Sequence, residues 1–166
     1  MNALRASCLL LALALTGCPI PSLRRPEPVR VSEVVDVGDP ARRASLRLVL
    51  AGLDADVDGN LQRALGSYER AIQVDATNPF AYLAIARHHA QSHDPGWALS
   101  FLDKADALFR AQGGISPRVA PHLLGLRGQA LYASGQIDAG AALLDQAWAL
   151  APAVWEDGRL SAEELR

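Results

Sequence analysis

Small residues recurring in register constrain this chain more than any other feature. With copies started at Ser45, Pro79 and Pro121, the eighth position is Gly52, Ala86 and Gly128, and the twentieth is Ala64, Ala98 and Gly140. The twenty-seventh is Ala71, Ala105 and Ala147. The period is about 34 residues, with about eight extra residues before the third copy. Alanine and glycine make up about a quarter of the chain, so a single coincidence carries little weight, whereas nine in register carry a great deal. Where two antiparallel helices cross, bulky side chains hold the backbones apart and small ones let them approach. Large apolar residues stand between these sites: Leu48, Tyr82 and Leu124 at the fourth position, and Tyr68, Leu102 and Leu144 at the twenty-fourth. Asp58-Gly59-Asn60 and Ser134-Gly135-Gln136 supply turns inside the first and third copies, and His93-Asp94-Pro95-Gly96 supplies a rigid corner in the second. The second helix of that copy is expected to run to Phe109 and stop at Gly113-Gly114.

This register resembles the tetratricopeptide repeat, which implies an all-α fold, a TPR-type α-solenoid of about three helix-turn-helix repeats. The resemblance covers residues 45–152, and the domain is placed at 41–166 with a short C-terminal closing segment. In that segment Ser161 with Glu164 forms a capping-box pattern. Arg127, at the seventh position, departs from the family's usual apolar residue. The resemblance further implies that the first helix of each repeat lines an inner surface through positions two, five, nine and twelve or thirteen. Those positions are Leu46, Val49, Leu53 and Asp56, then Phe80, Leu83, Arg87 and Gln91, then His122, Gln129 and Tyr132. An apolar wall followed by an arginine and amide or hydroxyl groups suits a protein or peptide segment with a few buried anchors. The tether, the closing helix or a second copy in a homo-oligomer could cover part of the same surface, and an external partner is the favoured reading. The basic and amide set of the family's grooves for acidic chaperone C-termini is missing, because Val49 and Leu53 stand where it would be needed.

Ahead of the repeats, a single charge at Arg5 precedes an apolar run that closes on Leu15-Thr16-Gly17-Cys18. These residues resemble the lipobox of bacterial lipoproteins, implying a signal peptide over residues 1–17 and lipid attachment, palmitate included, at Cys18. The cysteine thiol is the nucleophile that takes the diacylglyceryl group. The run from Leu9 to Leu15 is far below the roughly 20 residues that span a bilayer. The resemblance implies an exported protein lipid-anchored to the cell membrane. With Pro19 rather than aspartate after Cys18, the expectation is an outer-membrane lipoprotein facing the periplasm. Residues 18–40, with Pro19, Pro21, Pro26, Pro28 and Pro40, read as a tether, a solvated linker rather than a strand at residues 29–37.

Loss of Arg5 with the leader would leave 15 basic against 18 acidic side chains, which argues against nucleic acid as a partner. It would also remove Cys8, leaving no intramolecular disulfide. Asp54, Asp56 and Asp58 with Gly59 begin like a calcium loop, but the twelfth position is Leu65 instead of a bidentate glutamate. His89 and His93 have one-turn spacing with His88 adjacent, and lack a further zinc ligand. Neither string is read as a metal site, and no cofactor is expected. No nucleophile-and-base grouping or phosphate-cradling glycine loop is present, so an enzyme is not expected. The expectation is a lipid-anchored adaptor or scaffold mediating protein–protein interaction in assembly of an envelope complex of the pilus, secretion, motility or barrel-assembly type. The alternative is a repeat lipoprotein that binds a metal or small ligand.

Overall fold

The computed structural model describes residues 25–166. Among the described residues the helices are α1 (Val31–Val34), α2 (Pro40–Val57), α3 (Leu61–Val74), α4 (Pro79–Gln91), α5 (Pro95–Ala111), α6 (Ala120–Ala133), α7 (Ile137–Leu150), α8 (Pro152–Trp155) and α9 (Ala162–Leu165). Three-residue turns join α2 to α3, α4 to α5 and α6 to α7 and fold each pair back on itself. Caps set where the helices begin. The Asp39 carboxylate accepts from the Arg42 N–H ahead of Pro40, and Asn60 and Asn78 accept from Arg63 and Phe80. Inside each pair the fifteenth repeat position turns the chain in the left-handed region, with Gly59 at φ 74°, Gly135 at φ 88° and, in the second pair, His93 at φ 63°.

The register of small residues has the steric role expected of it. All nine are buried. A Cβ added at Gly52 would lie 2.4 Å from the Tyr68 ring, and one at Gly140 would lie 2.6 Å from the Tyr132 nitrogen and 2.8 Å from the Gly128 carbonyl. The first pair thus closes over an aromatic ring, and in the third the two backbones touch. α5 runs two residues past Phe109, and Gly113 and Gly114 follow at φ 116° and 104°. Arg127 leaves the register intact: it is half-buried and pairs with Asp103 on α5 at 2.8 Å, while Gly128 beside it is buried.

The expected tether needs correction over its last part. The first repeat helix, α2, begins at Pro40, and the chain ahead of it carries α1 and is anchored rather than free: Val29 and Val31 are buried in the core, while most residues around them stay exposed. Val29 lies in extended backbone and Val31 opens α1, with the extended Arg30 between them, and the repeat stack supplies the surface that buries both side chains. Cys18, the leader and the first tether residues lie outside the described residues.

Candidate functional site

The inner surface is built from the first helix of each pair, and most of it is closed by the two ends of the chain. Leu46, Val49, Leu53, Leu83 and His122 are buried, in one core that includes Val29 and Val31 from the N-terminal segment and Leu160 and Leu165 from the C-terminal one. Backbone hydrogen bonds fix both ends. Val29 N–H donates to the Arg118 carbonyl at 3.0 Å and Ser32 N–H donates to the Arg166 carbonyl at 2.8 Å. His122 Nε2 donates to the Val29 carbonyl at 3.0 Å, and Gln91 Nε2 donates to the Leu160 carbonyl at 2.7 Å. Ion pairs from Arg118 to Glu33 and from Arg166 to Asp54 add charge to the same seams. These five apolar or ring positions therefore face the chain itself and not solvent, which corrects the expectation of a groove open along its length. Phe80 is half-buried, edge-on to Phe109 with ring centroids 5.2 Å apart.

Asp56 and Arg87, expected to present charge to a partner, present it to each other. The Arg87 guanidinium is 1% exposed and pairs with Asp56 Oδ2, which also accepts from the Tyr68 hydroxyl at 2.8 Å. Asp56 Oδ1 lies 2.9 Å from His88 Nδ1. Burial alone would raise the Asp56 pKa; the His88 hydrogen bond, the Arg87 charge and the Tyr68 hydroxyl outweigh it and hold the carboxyl below its ordinary range. Burial pushes the Tyr68 phenol well above the usual tyrosine range. This cluster spans α2, α3 and α4 and locks the first repeat to the second.

The remaining three positions stay together and open. Gln91, Gln129 and Tyr132 line a cleft of about 540 Å³ with His93, Leu144 and Arg159, at the end of the inner surface where the chain returns through residues 157–161. Tyr132 is 51% exposed, and the Gln129 Oε1 is buried without a hydrogen-bond partner among the described residues. A side-chain amide oxygen left without a donor is a point where an incoming N–H gains a bond that the free protein lacks.

The acidic and histidine strings are dispersed. Asp54 pairs with Arg166, Asp56 belongs to the inter-repeat cluster, and Asp58 caps the end of α2 through its backbone N–H. His88 faces Asp56, His89 stacks on Phe101 with centroids 5.4 Å apart, and His93 occupies the exposed left-handed turn position. Burial, with the neighbouring His88, lowers the His89 pKa. The burial of His122 lowers its pKa against smaller opposing effects from the Val29 carbonyl and Glu164.

One feature was missed in the sequence. A Cβ at Gly125 would fall 2.3 Å from the Trp155 ring, so the indole of α8 fills the space that Val49 and Leu83 fill at the fifth position of the earlier repeats. The signal was present: a glycine at a position otherwise occupied by large apolar residues requires a bulky residue from elsewhere. The Ser161 capping box is formed in both directions, starting α9 where it packs on α2.

No protein-family model and no curated protein sequence matches this chain. In structure it is similar to the N-terminal domain of stress-induced protein-1 (STI-1) from C. elegans, with a TM-score of 0.58 and 15% sequence identity. The match covers 68% of this chain and 87% of that one. The chain is an all-helical solenoid of the tetratricopeptide type.

Proposed function

We propose that this chain is a lipid-anchored adaptor that binds a segment of a partner protein in the cleft formed by Gln91, Gln129 and Tyr132. The observation that carries the reading is the contrast in exposure along the inner surface. The chain's own ends occupy the part near α2, while near the end of α6 the Tyr132 ring remains exposed beside a half-buried Gln129 whose buried oxygen has no partner among the described residues. A cleft with an aromatic ring, two amides and Arg159 suits an extended backbone with one apolar anchor and an acidic side chain or terminus. The Cys18 lipobox supports attachment at an envelope membrane, with the outer membrane and a role in complex assembly as the finer proposal. Stable attachment takes more than one acyl chain, which a triacylated cysteine supplies.

The test is in-cell photocrosslinking from Tyr132 and Gln129, with Arg87 as the buried comparison. Recovery of one recurrent envelope protein from the first two and none from Arg87 is expected. Crosslinks from Tyr132 only to a second copy would replace the adaptor reading with a homo-oligomer, and equal yield from Arg87 would mean that the chain ends leave the groove. Cys18→Ser is expected to shift the protein out of the membrane fraction, and an unchanged distribution would remove the anchor.

A further inference from the structure

Among the described residues the stack ends on α7, whose outer side keeps large apolar side chains exposed. In α3, the second helix of the first repeat, positions 21 and 28 are Leu65 and Ile72, which pack on the core beside Ile85 of α4. The same side of α7 holds a stripe of Ile137, Ala141 and Trp148 at positions 17, 21 and 28, with Leu144 at position 24 on its inner edge, packed toward Gly128 and the core. A fourth repeat would cover it with its own first helix. That helix starts as α8 and stops after one turn: Trp155 turns in against Gly125, and Gly158 at φ 72° redirects the chain toward Leu160, beside Gln91. Trp148 is left 54% exposed and Ile137 46% exposed. A terminal repeat ordinarily needs a polar outer face, and this one has an indole.

Charge identifies what would cover it. Residues 137–157 contain Asp138, Asp145, Glu156 and Asp157 and not one lysine or arginine. Asp138 and Asp145 follow Ile137 and Leu144 by one residue, so they flank the stripe on the side away from the buried Gly140 and Ala147. Neither has an ion-pair partner among the described residues. Four uncompensated carboxylates disfavour an anionic lipid surface. A second copy lacks a matching face at the other end of the stack, because α1 packs on α2 there, with Arg47 paired to Asp36 and Arg43 bonded to the Gly38 carbonyl.

We infer that α7, through Ile137 and Trp148, is a second docking surface beside the cleft for one amphipathic helix of a partner protein that carries lysine or arginine beside its apolar stripe and completes the stack as the first helix of a fourth repeat. The partner helix supplies the aliphatic cover that α4 supplies in the first repeat, and its basic flank meets Asp138 and Asp145.

The probe is a synthetic leucine–alanine helix of about 18 residues with lysines beside the apolar stripe, and its counterpart with glutamates. Each is titrated into the 15N-labelled full-length chain. The lysine helix is expected to shift the amides of α7, and the glutamate helix to leave them in place. Trp148→Ala is expected to weaken binding about tenfold, and Asp138→Lys with Asp145→Lys to reverse the preference between the probes, with melting temperatures unchanged. The inference is overturned by equal binding of both helices, by shifts confined to the cleft, or by absence of saturable binding. Self-association that Trp148→Ala abolishes would assign the face to a second copy. Trp148-dependent binding to phosphatidylcholine vesicles would assign it to lipid.

Discussion

The junction of the first and second repeats and the open end at the third use the same register positions for opposite purposes. At the junction, positions nine and twelve are Leu53, Asp56 and Arg87; the leucine is covered by chain ends and the charged pair is buried against itself. At the open end they are Gln129, whose Oε1 has no hydrogen-bond partner among the described residues, and Tyr132, which is half exposed. Surface on one side has been converted into stability, and on the other it stays exposed. The choice is made by what stands across the inter-repeat seam, and a single helix viewed alone gives no hint of it.

The hardest test of this contrast is Arg87→Ala. It leaves the Asp56 carboxylate buried with only His88 and Tyr68 beside it, and breaking a buried pair from one side costs roughly 3–5 kcal/mol. Chemical denaturation should show that loss, with the second and third repeats still helical at the end of any first phase. A loss below about 1 kcal/mol would mean that Arg87 behaves as a surface arginine and that the junction is not a lock.

Gly140→Ala probes the same contrast in the packing. At the junction a Cβ on Gly52 meets a ring, but at the open end a Cβ on Gly140 meets backbone atoms of Tyr132 and Gly128 that have nowhere to retreat. Alanine is the better helix former by about 1 kcal/mol, and overpacking costs about 1–3 kcal/mol or more, so a net loss is expected for Gly140→Ala in thermal melts. A stabilised variant would show that the two helices are not in backbone contact.

Acid should separate the two regions. Asp56 titrates below its ordinary value in the folded chain, so its contribution persists above that range and is lost only as pH falls through the lowered folded pKa. His122 has the opposite linkage. Its folded pKa lies below the ordinary histidine value of about 6.5, so the unfolded chain binds the extra proton first and stability declines as pH drops below about 6.5 toward the folded value. The limiting slope is about 1.4 kcal/mol per pH unit for each such histidine. Protonation would place a second N–H on Nδ1, which is buried without a partner among the described residues, and the charge of Glu164 only weakly offsets that cost. His122→Gln retains an amide N–H for Val29 and should flatten the stability curve between pH 7 and 5. The slope that remains belongs to His89, whose pKa is also lowered. An unaltered slope in His122→Gln would remove the histidine from the account.

Against these behaviours, the sequence was legible where periodicity is local and opaque where the chain meets itself at a distance. The nine small residues, the turns and the Ser161 cap are read within one helix or one pair, where spacing dictates contact. The closing of the groove depends on Val29 lying 93 residues from His122 and on Gln91 lying 69 from Leu160, and no spacing rule connects them. The prolines around Val29 and Val31 indicated a solvated tether, and the apolar alternation that opposed this reading gained its meaning only from a surface formed by the other helices. Similarly, Asp56 and Arg87 were read as charges presented to a partner, and their 31-residue separation concealed that they would neutralise each other.

The smallest effect on stability should accompany the largest effect on binding. Tyr132→Ala removes a half-exposed ring at the rim of the cleft, and exposed positions of this kind change stability by about 0.5 kcal/mol or less. Gln129→Leu replaces the unpaired amide by an apolar side chain of similar size and should be neutral or slightly stabilising, since the orphaned Oε1 goes with it. Both variants should therefore melt as the parent does, and both should lose the partner recovered by crosslinking from the neighbouring Gln91. If Gln129→Leu instead destabilises by more than about 1 kcal/mol, its oxygen is already satisfied in the free protein and the open end is a second lock. If both variants melt normally and retain the partner, the cleft is a by-product of the chain's return through residues 157–161, and the exposed stripe on α7 becomes the surface through which the solenoid acts.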